Sequence, residues 1–175
     1  KTSENTYLEY VYTLPKEGYM LDLVVRSQGL AGAVNTSKPM NIDWKLQARR
    51  MEKSVTYENR YTQVAIQYEG DRINRMSQAS NDEQKEEKVS WVAYKQHLFT
   101  SVLISDNPFE KGDFVSHNIA MNEGKEVKYT KNFLTSLPVK AKSGELSESL
   151  HFYFGPSDYN VLKQYNDKYE LTELI

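Results

Sequence analysis

Leu150-His-Phe-Tyr-Phe-Gly-Pro-Ser-Asp-Tyr-Asn-Val-Leu-Lys-Gln-Tyr165 is a strand running into a corner and then a helix. Leu150 to Phe154 is dense in aromatic β-formers. Pro156 suits a first helical position, where its missing N–H has no helical partner, and Gly155 then serves as N-cap. Asp158 in the first turn favours the positive end of the helix dipole. Tyr159, Leu162 and Tyr165 share one stripe with Val161 nearby, while Lys163 and Gln164 face water. A helix this short is marginal alone. Pro156, Tyr159, Leu162 and Tyr165 are therefore the expected docking residues, and Gly155-Pro156 the joint that sets where the chain exits.

Upstream of this corner the chain reads mostly with period 2. Met40, Ile42, Trp44, Leu46 and Ala48 alternate with Asn41, Asp43, Lys45, Gln47 and Arg49, one face dry and one wet, as in an antiparallel sheet. Tyr7 to Leu14, Tyr19 to Val25, Tyr57 to Tyr68, Arg72 to Met76, Ser90 to Tyr94, Leu98 to Ile104, Phe114 to Met121 and Val127 to Val139 also read as strands. Turns fall at Lys16-Glu17-Gly18, Glu69-Gly70-Asp71, Asn122-Glu123-Gly124-Lys125 and Lys142-Ser143-Gly144-Glu145. Gly29 to Ser37 reads as a loop, Ser77 to Lys88 as a mobile charged loop, and Asp106-Asn107-Pro108 as a strand break. About ten strands with sandwich-like spacing, several of them long, predict an all-β antiparallel sandwich (residues 1–155) closed by a C-terminal helix and connection (156–175) of the same domain.

The 175 residues suit one domain. A net charge of −2 implies no strong pull towards nucleic acid or an acidic membrane surface, and no nucleic-acid partner is expected. The absence of cysteine excludes a disulfide framework, thiolate catalysis and Cys-ligated zinc. No segment approaches the ~18 apolar residues of a membrane span. Lys1 in place of Met, and an end at Leu174-Ile175, read as a piece of a longer protein.

Chemistry-bearing patterns are sparse. His97, His117 and His151 lack metal-ligand spacing, and ordinary strand or surface imidazoles are the simpler reading. Asp113, Ser116 and His117 resemble parts of a hydrolase triad, but adjacent strand residues point to opposite faces and no GxSxG elbow occurs. Glu83, Glu86 and Glu87 read as a solvated run, Arg49, Arg50 and Lys53 as a solvated strand end, and Asn35-Thr36-Ser37 as a formal glycosylation sequon. No catalytic residue, cofactor or metal site is expected. Trp44, Trp91 and the tyrosines leave open a carbohydrate- or peptide-binding sandwich, and a mutarotase-like enzyme would need a histidine and a carboxylate on one concave face.

Three segments carry a family resemblance: Phe152-Tyr-Phe-Gly-Pro-Ser-Asp-Tyr159 with Leu162-Lys163, Trp91-Val-Ala-Tyr-Lys-Gln-His-Leu-Phe99, and Tyr12-Thr-Leu-Pro15 with Tyr19-Met-Leu-Asp-Leu23. Together they resemble the large periplasmic domain of the YidC family of bacterial membrane protein insertases, in its Bacteroidetes-like branch. The resemblance implies a galactose-mutarotase-like β-supersandwich lying between the first and second transmembrane helices of the whole protein. It also implies a location at the periplasmic face of the Gram-negative inner membrane, contact with the Sec translocon (SecD/SecF and SecYEG), and chaperone-like handling of nascent membrane proteins. Against the family pattern the chain reads as the C-terminal two-thirds of that domain, or a shorter version of it, without insertase activity of its own.

Overall fold

The computed structural model describes residues 5–120 and 126–175. Nine strands form one antiparallel hydrogen-bonded network: β1 (Tyr7–Thr13), β2 (Met20–Gln28), β3 (Met40–Arg49), β4 (Gln63–Tyr68), β5 (Arg72–Arg75), β6 (Asp82–Lys95), β7 (Phe99–Asn118), β8 (Tyr129–Val139) and β9 (Ser147–Pro156). Three short helices accompany them: α1 (Val55–Tyr61), α2 (Tyr159–Lys163) and α3 (Asn166–Tyr169). The expected all-β antiparallel sandwich is present. The expected hairpin loop Asn122–Lys125 lies outside the described residues.

The network folds on itself through the β6–β7 hairpin. The first part of β7 pairs with β9 and the C-terminal part of β6, giving a seven-strand sheet in the order β1-β2-β9-β7-β6-β4-β5. The second part of β7 pairs with β8, which pairs with β3, giving a four-strand sheet that includes the first half of β6. The crossover is marked by irregularities. Lys88 has φ +51°, and the β6–β7 register skips between Val89 and Trp91, where Ser105 to Pro108 bulge out of β7. Asp106-Asn107-Pro108 is thus a bulge within one 20-residue strand, a place where a proline without an N–H is tolerated.

Two apolar layers result. Between the sheets lie Leu103, Phe114, Phe133, Leu137 and Leu150, with Trp44 stacked on Tyr94 at 4.0 Å. The outer face of the large sheet carries Ala65, Trp91, Ala93, Val102, Ile104 and Tyr153, covered by Leu162, Leu171 and Leu174 from the C-terminal segment. Central strands are consequently dry on both faces: Gln63 to Gln67 and Trp91 to Tyr94 are buried without interruption.

Two further strand and loop expectations fail. Ser77 to Lys88 is not a mobile loop, because Asp82 to Lys88 form the first half of β6. Its charged side chains alternate along a sheet edge, with Lys85 paired to Asp113 at 3.1 Å and Asn74 donating to Glu86 at 2.5 Å; charge on an edge strand discourages further pairing. Tyr57 to Tyr61 is not strand but the end of α1, whose N-cap Ser54 accepts from the Tyr57 N–H.

Candidate functional site

The C-terminal segment is a clasp on the large sheet. Pro156 does not open a helix. It is the last residue of β9, in register with Phe99, and the chain stays extended through Ser157, whose N–H donates to the Leu98 carbonyl. Asp158 is the N-cap, accepting from the Asn160 and Val161 N–H groups at 2.9 and 3.1 Å, so α2 starts at Tyr159. Gly155 is no cap. A Cβ there would lie 2.6 Å from the Tyr153 hydroxyl and 2.8 Å from the Tyr19 ring, so glycine lets the Tyr153 phenol cross over and donate to the Pro156 carbonyl at 2.7 Å. Burial, then Tyr165, Tyr19 and Asp158, push that phenol above its ordinary value.

Of the four expected docking residues, Leu162 is fully buried. Tyr165 is half-buried, edge-on to Tyr153, and its hydroxyl accepts from the Tyr19 N–H at 3.0 Å. Pro156 lies at the joint. Tyr159 is 52% exposed and takes no part in the packing. The sequence did not single out Leu171 and Leu174, which a 3-10 turn, Leu171–Leu174, inserts beside Leu162. Polar groups complete the clasp: the Trp91 indole donates to the Tyr169 carbonyl at 3.0 Å, Gln67 donates to Glu170, and Lys95 and Arg75 donate to the Leu174 and Glu173 carbonyls. Trp91 is therefore core, not a ligand-binding aromatic.

A second feature follows from the unequal sheets. Four strands cannot cover the inner face of seven, so β1 and β2 extend past β3 and leave a cleft of about 450 Å³. Its floor is Tyr10, Tyr12, Leu23 and Phe152, and its wall is Met40, Ile42 and Trp44. Tyr10 and Tyr12 are more than half exposed. Among the described residues β3 pairs only with β8, so its other edge has no strand partner in the sheet there. Two carboxylates stand in the lining, Asp43, which accepts from the Ser136 hydroxyl, and Glu148, raised by burial with Lys142 opposing. The arrangement suits an extended apolar segment, with room for side chains on the floor and backbone pairing at the wall. Trp44 lines the cleft with its ring packed on Tyr94 and Phe152.

The titratable residues do not assemble into one centre. His97 contacts Glu52 at 2.7 Å and stacks on Tyr61. His117, on the outward side of β7, is 3.7 Å from Glu83. His151, on the outer face of β9, is flanked by Asp22 at 2.6 Å and Asp106 at 3.0 Å, so both ring nitrogens face carboxylates. Asp106 is raised by burial but lowered more by His151 and Lys168, and lies net below its ordinary value. Ser116 is buried and Asp113 is paired with Lys85; Ser116 and His117 lie on opposite faces. Asn35 closes a local turn by accepting from the Ser37 N–H, and the Arg50 side chain donates to the Glu52 and Lys53 carbonyls. Among the described residues no group of three or more His, Asp or Glu is placed to hold a metal ion, and no helix is long and apolar enough to cross a membrane.

Lys131 on β8 is fully buried, with no carboxylate partner among the described residues. Its ammonium donates to the carbonyls of Thr62 at 2.6 Å and Gln78 at 2.7 Å, and burial lowers it to about 8. It ties the end of α1 to the segment that precedes β6.

Comparison with known proteins agrees with the segments quoted above. A protein named membrane protein insertase YidC from Bacteroides fragilis is 31% identical over 176 residues, 97% of this chain. A protein of the same name from Porphyromonas gingivalis is 32% identical over 181 residues, again 97% of this chain, and one from Phocaeicola vulgatus is 30% identical over 92%. The chain spans 28% of the length of the first two and 26% of the third. The sequence model of the family described as YidC periplasmic domain matches residues 1–173. With a clasped β-sandwich and a match of that extent, the chain belongs to the YidC periplasmic domain family.

Proposed function

We propose that this chain is the non-catalytic periplasmic module of a membrane protein insertase. It works at the periplasmic face of the bacterial inner membrane, and its cleft holds extended apolar segments of nascent membrane proteins in a chaperone-like way. The observation that carries the reading is the family match over residues 1–173 combined with the open cleft beside the free edge of β3. An apolar floor of half-exposed tyrosines next to an unpaired strand edge fits a client that is apolar and not yet folded. The scattered, individually paired histidines support a holding role over a catalytic one, and the near-neutral charge supports a partner other than nucleic acid. On the same reading the module also contacts the Sec translocon through SecD/SecF or SecYEG.

The test places a photo-crosslinking residue at Tyr12 or at Ile42 of the full-length parent during synthesis of an inner-membrane protein. Adducts with the nascent chain from both positions, and none from Lys111 on the far part of β7, are expected. Adducts at equal yield from Lys111, or none from the cleft, would remove the client-holding role. Loss of SecD/SecF co-purification when the domain is replaced by a linker is the expected outcome for the translocon contact, and unchanged co-purification counts against it.

A further inference from the structure

The exposed apolar surface is not spread evenly. Sixteen large apolar side chains are exposed among the described residues. Nine of them crowd one end of the sandwich, where the Leu14–Tyr19 turn, the β6–β7 turn, the end of β9 and α1 come together. Hydrogen bonds and stacking fix this convergence: Phe154 N–H to the Tyr19 carbonyl, Ser157 N–H to the Leu98 carbonyl, Gln96 side chain to the Arg49 carbonyl, and His97 on Tyr61. Six of the nine are aromatic: Tyr19, Tyr57, Tyr61, Phe99, Phe154 and Tyr159. Leu14, the most exposed at 75%, Met51 and Leu98 complete the set.

The charge at this end is also biased. Lys16, Arg49, Arg50, Lys53, Arg60 and Lys163 stand there against four carboxylates, Glu17, Glu52, Asp158 and the buried Glu58, which accepts from the Met51 and Glu52 N–H groups. Glu52 is engaged by His97, and Asp158 caps α2. The chain as a whole is net acidic, so the basic excess is local.

We propose that this end is a bilayer-docking surface that seats its aromatic and aliphatic side chains at the headgroup level and its basic side chains on anionic phospholipid. Tyr and Phe rings partition to that depth, because an amphipathic or aromatic body fits the boundary between water and acyl chains. Lys and Arg lay their stems along the same boundary and reach the phosphates. A protein partner or a second copy would be satisfied by the apolar patch alone, and the local positive excess favours an anionic surface. The inference draws on the periplasmic-module reading only for the presence of a bilayer beside the domain.

The test is co-flotation of the 175-residue chain with vesicles of phosphatidylcholine alone and of phosphatidylcholine with phosphatidylglycerol. Binding to the anionic vesicles that weakens with salt is expected. K53Q and R60Q each reduce it about fivefold, and L98D reduces it about tenfold, with thermal unfolding unchanged because all three positions are exposed. V34D, away from this end, leaves binding unchanged and serves as the control. Absence of binding to anionic vesicles, equal binding to neutral ones, or binding insensitive to L98D overturns the proposal. So does a concentration-dependent dimer in sedimentation velocity that L98D abolishes, because the patch would then belong to a second copy. Crosslinking of clients from the cleft is read separately, so failure here leaves the module reading standing.

Discussion

Burial puts a pH signature on Lys131. Its folded value, about 8, lies below the ordinary 10.5. Between those values the unfolded chain binds more protons, so stability rises with pH across that window and falls again as pH drops towards 8. Urea midpoints at pH 8.0 and 9.5 should therefore climb in the native chain more than in K131M, and equal slopes would show that the amine titrates normally. Gly155 offers a second residue-scale test. G155A drives a methyl into the Tyr153 hydroxyl and the Tyr19 ring, and overpacking of this kind costs about 1–3 kcal/mol. A thermal melt within a degree of the parent would show that β9 has slack at this point.

Within the clasp, exposure separates residues that the sequence grouped together. L162A should destabilise by about 2–5 kcal/mol, the range for truncating a buried leucine. D158A should cost about 1 kcal/mol through the lost cap, and Y159A less than about 0.5 kcal/mol because its side chain is solvated. Denaturant titration ranks the three, and a large loss for Y159A would mean that α2 docks on a different face. Lys88 tests the bulge. With φ +51°, K88G should be neutral or stabilising, whereas K88V should destabilise; the reverse order would contradict the left-handed assignment.

Those elements also show how far the sequence could be read. Met40–Arg49 and Leu150–Phe154 were legible because one face is wet and the other dry. The first half of β6 was not: Asp-Glu-Gln-Lys-Glu-Glu-Lys has no apolar residue, and it is a strand only because β7 pairs with it. Helix α1 carries Val, Thr and Tyr, and reads as strand until Ser54 is seen capping it. Leu171 and Leu174 were invisible as docking groups because a left-handed Glu170 and a 3-10 turn, not a regular helix, bring them beside Leu162. The cleft was hidden for a broader reason. It arises from a mismatch in strand number between two sheets, which no local window contains.

At the scale of the molecule, one long hairpin belongs to both sheets. The sheets cannot slide apart without bending β6 and β7 at Lys88 and at Ser105–Pro108, so the cleft has a stiff back and a compliant mouth at β1. Substitutions at the mouth, such as Tyr10 or Tyr12, should alter client crosslinking with little change in melting temperature. Truncation of Phe114 or Leu137 between the sheets should lower the melting temperature markedly. Equal thermal effects from the two classes would mean that the mouth is packed, not open.

The pairing of β2 with β9 has a temporal consequence. Leu23 lies opposite Leu150, so the β1–β2 hairpin has no sheet to join until β9 has left the ribosome. The β6–β7 hairpin closes over a short turn and is the natural nucleus, whereas loop closure delays the β2–β9 contact. During synthesis the exposed tyrosines of β1 therefore wait beside an unfinished floor. The β1–β2 hairpin is seated only when β9 zips beside it and Leu162, Leu171 and Leu174 lock behind the sheet.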